Sequence, residues 1–280
     1  MTLLEVLQST TAYFQKRAIE SPRLNAEHLL AHALQRKRID LYMEFERELA
    51  EEELAPLRAL VRRRGTGEPL QHLLGTVEFC GHSFLCDKRA LIPRPETEEL
   101  VEMLIAECGL RNAELRVADV GTGSGVIALS LAAKLPQAEV HAVDISDDSL
   151  ALARENAARL GLSERVRFRK SYLLKEVEGA FDLIVANLPY VPQTDRSTLS
   201  REVLHDPENA LFGGTRGDEI IRELISAAPQ HLAPGGSLAL EIGIGQAEGL
   251  AAFLAEQKYA DIRQRHDYAG VTRFLFARYG

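Results

Sequence analysis

Along residues 1 to about 64 the apolar positions recur at intervals of three and four: Leu3, Leu4 and Leu7, then Leu29, Leu30, Ala33 and Leu34, then Leu54, Leu57, Leu60 and Val61. That interval keeps one helix face apolar, and no glycine interrupts it before Gly65, so the stretch predicts a small helical bundle. Ser21-Pro22 supplies a break and a helix start, since proline suits a first turn. From Gly65 to about Pro95 the period is lost and Gly, Pro, Phe and Cys take over. The run Val77 to Leu85 reads as a hairpin around Gly81-His82, within a linker over 76–95. Pro95, followed by Glu96, Glu98 and Glu99, then opens a helix to about Cys108, because acidic side chains suit the positive end of the helix dipole.

Beyond this helix, short apolar runs alternate with helical ones. Strands are predicted at 115–120, 139–144, 166–169 and 181–186, and helices at 126–135 and 147–160, the second capped by Ser146. A helix over 218–232 should stop at Pro234-Gly235-Gly236, ahead of a strand at 237–242. A helix over 246–257 and two strands, 262–266 and 273–277, complete the chain. The rhythm predicts an α/β fold: a Rossmann-like, doubly wound and mainly parallel sheet that takes ligands at the carboxyl ends of its strands. The expected division is therefore 1–75 helical, 76–95 linker and 96–280 α/β.

Composition sharpens this picture in a few places. With 46% apolar and 26% charged residues the chain is globular rather than disordered or fibrous. Its net charge of −8 is unevenly placed. Residues 1–75 hold 11 Lys and Arg against 11 Asp and Glu, whereas 76–280 hold 22 against 30. An acidic second part argues against stable nucleic-acid binding by phosphate neutralisation. The basic triplets Arg36-Lys37-Arg38 and Arg62-Arg63-Arg64 read as solvated helix faces or as a patch for an acidic partner. Three cysteines without CxxC spacing predict reduced thiols. His28 and His32 share a helical face but lack the glutamate of an HExxH site, so no metal is expected. No run approaches the roughly 20 apolar residues of a membrane helix, and the start lacks a basic and then apolar leader, so a cytoplasmic protein is expected.

The chemistry concentrates at two strand ends. At the first stands Asp119-Val120-Gly121-Thr122-Gly123-Ser124-Gly125, where glycines allow a tight turn and let a ligand approach the backbone. A dinucleotide fingerprint needs Gly or Ala where this chain has Val126, and glycine at every second residue suits S-adenosylmethionine better than NAD. Asp144, at the end of the next strand, is placed to accept from both ribose hydroxyls. The second strand end carries Asn187-Leu188-Pro189-Tyr190. An amide or arylamine nitrogen is a poor nucleophile because its lone pair is delocalised, so it must be held while it becomes tetrahedral and positive. The Asn187 side-chain oxygen and the Leu188 carbonyl supply acceptors for such an NH2 group; Pro189 stiffens the loop and Tyr190 offers a flat packing surface.

Taken with Pro69-Leu70-Gln71-His72-Leu73-Leu74-Gly75, Leu91-Ile92-Pro93-Arg94-Pro95-Glu96-Thr97-Glu98, Ala210-Leu211-Phe212-Gly213-Gly214 and Asp267-Tyr268-Ala269-Gly270, these motifs give the chain a resemblance almost end to end. It resembles the protein-(glutamine-N5) methyltransferase family, which modifies the Gly-Gly-Gln glutamine of peptide chain release factors. The resemblance implies a helical domain that helps bind the release factor, and a Rossmann-like domain with a seven-stranded sheet that binds S-adenosylmethionine and leaves S-adenosylhomocysteine. It implies cofactor contacts from Gly121, Thr122, Gly123, Ser124, Gly125, Asp144, Ser171, Tyr172 and Asn187. It implies catalysis and substrate binding by Asn187, Leu188, Pro189 and Tyr190. Two positions depart from the pattern: Leu188 replaces the usual proline, as in many adenine dimethyltransferases acting on ribosomal RNA, and Ser171 replaces an acidic residue before the aromatic Tyr172. The rival readings are an adenine amino methyltransferase acting on RNA or DNA and a non-catalytic protein that binds a translation partner.

Overall fold

The computed structural model describes residues 1–109 and 114–280. The chain forms two compact units, the first made of Met1–Thr76 with Ser200–His205, the second of Val77–Leu199 with Asp206–Gly280.

The first unit is helical, with helices Leu3–Lys16, Pro22–Ala33 and Glu51–Gly65 and short helical turns Arg38–Leu41 and Leu70–Leu74. Thr2 and Glu5 cap the first helix reciprocally, each side chain accepting from the other's backbone N–H. Pro22 opens the second. The spaced apolar residues Leu3, Leu7, Leu29, Leu30 and Leu57 meet Phe14 and Leu41 in one core. A charge lies inside as well: Arg64, only 2% exposed, donates to Asn25 Oδ1 at 2.7 Å and the Glu68 carbonyl at 3.0 Å and pairs with Glu202. Ser200–His205 joins this unit although nothing in its local sequence marks it as doing so.

The second unit is built, among the described residues, on a seven-stranded sheet. Its strands are β1 Arg116–Val120, β2 Glu139–Asp144, β3 Val166–Lys170, β4 Phe181–Asn187, β5 Leu232–Glu241, β6 Tyr259–His266 and β7 Thr272–Tyr279. Their order is β6-β7-β5-β4-β1-β2-β3. All neighbours run parallel except β7, which is antiparallel to both β5 and β6. Alternate residues feed opposite faces: Val117, Val140, Leu183, Val185 and Phe274 enter one core, while Ala118, Val120, Ile184, Ala186 and Leu240 enter the other. The order reverses between β1 and β4, so a crevice opens at their carboxyl ends.

Three expectations change in detail. The stretch 76–95 is no linker. Its strands Thr76–Phe79 and His82–Leu85 turn at Cys80-Gly81, both left-handed, one residue before the expected position. Phe79 and Phe84 sit edge to face at 6.1 Å and are buried in the same core as Leu100 and Val101. The expected helix over 218–232 ends sooner, as Glu219–Ala227, because Pro229 tightens the chain into a 3-10 turn over Ala228–Gln230. Pro234-Gly235-Gly236 then lies inside β5 rather than before it: pairing with β4 starts at Phe181 and Leu232, shifts, and resumes at Leu183 and Ser237, so residues 233–236 interrupt the register opposite Asp182.

Candidate active site

A cleft opens at the switch point. Its lining includes Gly121, Thr122, Gly123 and Ser124 from the turn after β1, Asp144 at the end of β2, Ser171 and Tyr172 after β3, and Asn187, Leu188 and Pro189 at the end of β4. Of the expected residues, Gly125 and Tyr190 do not line it.

The turn has a backbone that side chains resist. Gly121, Gly123 and Gly125 have φ of +76°, +56° and +85°. The N–H groups of Gly121 and Thr122 both donate to the Val143 carbonyl at 2.9 Å, which ties the turn to β2. A Cβ at Gly121 would lie 2.8 Å from Leu188 Cδ2, so the glycine turn and the loop after β4 meet directly. Gly125 serves packing instead: a Cβ there would press on Leu129 and Ala153 at 3.0 and 3.1 Å. Asn156, wholly buried, exchanges two hydrogen bonds with the backbone of Leu85 and donates to the Ser124 carbonyl at 2.9 Å, fixing the hairpin beside the turn.

Asp144 accepts from Gly123 N through one carboxylate oxygen and from Ser146 N through the other, each at 2.9 Å. A carboxylate has about four lone-pair positions, so acceptor capacity remains. Burial raises its pKa, opposed by those backbone donors. Asp119, at the end of β1, is fully buried and pushed up to about 7 by desolvation; one oxygen accepts from Thr122 Oγ1 at 2.6 Å and Ala128 N at 3.1 Å. Tyr172 donates its hydroxyl to Glu223 at 2.6 Å, which leaves its ring to form a wall of the cleft. The Ser171 hydroxyl is turned inward and accepts from Glu176 N at 3.1 Å, so it braces the loop.

At the other strand end, Leu188 is buried with the core that contains Val120 and Ile184. Leu188 therefore contributes a packed side chain as well as its backbone carbonyl. Tyr190 packs against the same core rather than opening into the cleft, and burial pushes its hydroxyl up to about 12. Gln246 Nε2 donates to the Tyr190 carbonyl at 3.0 Å. The Ala210-to-Gly214 segment explains itself here. Val191–Pro192 pairs with Phe212–Gly214, and a Cβ on Gly213 would fall 2.3 Å from the Pro189 carbonyl oxygen. The segment Ile92-Pro93-Arg94-Pro95 completes the cleft: buried Asp206 accepts from Ile92 N at 3.1 Å and Arg94 Nη2 at 2.6 Å, and Pro93 and Arg94 line the opening.

Sequence reading passed over Thr97, Glu241, Asp206 and Gln246. Of these only Glu241 stands out in the sequence, as a charge that ends an otherwise apolar strand core. That was the available signal.

The chain matches the PrmC N-terminal domain over residues 5–75 and the methyltransferase small domain over residues 96–216. It is 42% identical to the release factor glutamine methyltransferase of Deinococcus radiodurans, with 99% of each chain covered. It is 41% identical to that of Geobacter sulfurreducens, covering 100% of this chain and 97% of the relative. A solved methyltransferase from Pyrococcus furiosus shares the fold, with a TM-score of 0.51 at 24% identity over 68% of this chain and 88% of that one. The glycine turn, Asp144 and the Asn187 loop thus stand within full-length similarity rather than as isolated motifs, and the chain belongs to the release factor glutamine methyltransferase family.

Proposed function

We propose that this protein transfers a methyl group from S-adenosylmethionine to the side-chain amide nitrogen of the glutamine in the Gly-Gly-Gln motif of a peptide chain release factor. The observation that carries the reading is the convergence of two strand ends on one cleft, Asp144 and the glycine turn on one side and Asn187 with the Leu188 backbone on the other. The donor set suits the cofactor: Asp144 keeps acceptor capacity for a diol, while Ile145, 51% exposed although apolar, and the Tyr172 ring offer surfaces for a flat base. When bound, S-adenosylmethionine supplies an electrophilic methyl on a sulfonium.

Residues of the chain do the rest by position and by acceptance of hydrogen bonds. Asn187 Oδ1 and the Leu188 carbonyl take the two N–H groups of the substrate amide. These bonds strengthen as positive charge grows on the nitrogen, so they favour the transition state over the ground state. A strong base is unnecessary, because the methylated nitrogen is acidic and releases its proton afterwards. The helical unit serves to bind the release factor, and such a substrate places the enzyme in the cytoplasm. The acidic balance of 76–280 supports no stable hold on nucleic acid.

The test is incubation with methyl-labelled S-adenosylmethionine and a release factor, with mass spectrometry to locate the label. Label on the Gly-Gly-Gln glutamine is expected. Label on another residue, or on RNA adenine in a parallel incubation with the release factor unmodified, would overturn the reading.

A further inference from the structure

Asn187 is useful only in one of its two amide orientations. Its oxygen must face the substrate nitrogen; the flipped amide would present an NH2 group to another NH2 group. The side chain is therefore a choice that some other part of the protein has to make.

Asn187 and Glu241 are register partners at the ends of parallel neighbours β4 and β5, so their side chains leave the sheet side by side. Thr97, near the start of the helix Pro95–Gly109, reaches both. It is 3% exposed, and Glu241 is 2% exposed. The Thr97 hydroxyl donates to Glu241 Oε2 at 2.7 Å. A hydroxyl has one proton, and that bond uses it. With Glu241 accepting that proton, Thr97 Oγ1 can only accept towards Asn187, 2.9 Å away, so it faces the Asn187 NH2 group. The flipped amide would set two acceptors against each other in a dry site, where an unmade hydrogen bond is costly. Asn187 Oδ1 is left on the cleft side, beside Leu188 and Pro189.

We propose that Thr97 is a positioning residue for methyl transfer: with its proton held by Glu241, it fixes the amide of Asn187 with the oxygen towards the methyl-accepting nitrogen. This rests on the proposed role of Asn187 as acceptor. It also gives the Glu96-Thr97-Glu98 stretch of the segment after Pro93 a chemical reason for the threonine at its centre.

The experiment compares single-turnover methylation of a release factor by the full chain and its Thr97→Val, Thr97→Ala, Thr97→Ser, Asn187→Ala and Thr97→Val/Asn187→Ala variants, at saturating S-adenosylmethionine. Loss of the hydroxyl should slow the chemical step about tenfold or more, with cofactor affinity changed less than about twofold. Thr97→Ser should restore the rate to within about threefold, since serine keeps the same donor and acceptor. With Asn187 already removed, Thr97→Val should have almost no further effect, because residues acting through one another are not additive. Thermal unfolding of each variant shows which are folded, and Thr97→Ala stands in if valine does not fit. A folded hydroxyl-free variant at the wild-type rate, a serine variant as slow as valine, or equal losses with and without Asn187 would overturn the proposal. A near-normal rate for Asn187→Ala would instead defeat the underlying reading of the site.

Discussion

Asp144 shows how much one residue can state by itself. Its place at the end of β2, with one backbone N–H on each carboxylate oxygen, leaves an ordered anion at the edge of the cleft. Asp144→Ala should weaken S-adenosylmethionine binding by about tenfold to a hundredfold, the scale of a charge-assisted contact worth about 1.5 to 3 kcal/mol; titration calorimetry measures it. Glu241 makes a different prediction, in pH. Burial pushes its carboxyl up from 4.5 to about 7, against the Thr97 hydrogen bond and with Glu96 adding to the rise. Between those two values the folded chain keeps a proton that the unfolded chain has released. Its contribution to stability therefore falls as pH rises from about 4.5 to 7, by at most about 3 kcal/mol, and is level above. Urea unfolding of wild type and Glu241→Gln across that range should show a smaller decline in the variant, the part that remains coming from buried Asp119, whose carboxyl is also pushed up to about 7. Asp144 and the glycines were legible in the sequence because a turn is written in adjacent residues. Thr97 and Asn187 are 90 positions apart, and only the sheet and the helix before it bring them together. Leu188 was legible as a carbonyl but not as the side chain that fills the space over Gly121.

Elements position the site by touching its backbone. The short pairing of Val191–Pro192 with Phe212–Gly214 holds the loop after β4 from outside the main sheet, and Gly213 has backbone on both sides of where a Cβ would go. Gly213→Ala should displace the Pro189 carbonyl and with it the neighbouring acceptor. An expected shift of about 1 Å would slow the chemical step by roughly a hundredfold. Cofactor affinity should hold within about threefold, since Asp144 is untouched; rapid-quench rates and calorimetry separate the two effects. Strand and helix types followed from apolar period, because a buried strand and an amphipathic helix differ in repeat. Boundaries followed less well where tertiary pairing decides them. Pro234-Gly235-Gly236 has the composition of a stop, yet β4 continues beside it and recruits Leu232 into the ladder. The hairpin turn fell on Cys80-Gly81 because two left-handed residues close a two-residue connection whose twist suits the strands.

At the scale of the molecule, each unit has its own core, and the first depends on a charge sealed inside it. Arg64→Ala would leave Asn25 and the Glu68 carbonyl short of a donor and Glu202 without its cation. The expected cost is about 2 to 4 kcal/mol to the first unit, less than for a fully buried pair because Glu202 is 37% exposed. Limited proteolysis should cut at 200–205 sooner in this variant, while S-adenosylmethionine affinity, a property of the second unit, stays near the wild-type value. The break between helical and α/β character was readable near residue 76, but the return of Ser200–His205 was not, since six residues carry no period and the Arg64–Glu202 pair that ties them to the helices joins residues far apart in the chain. That return has a consequence for how the protein is made. The chain passes from one unit to the other three times, after residues 76, 199 and 205. On a ribosome the helices emerge first, yet their bundle lacks a piece until residue 205 has left the exit tunnel, when β1 to β4 and both halves of the cleft have already been synthesised. Of the two units, the one translated earlier is thus the one that must wait, and a nascent chain arrested near residue 199 should hold its helices less firmly against pulse proteolysis than one arrested far enough beyond His205 for residues 200–205 to clear the tunnel.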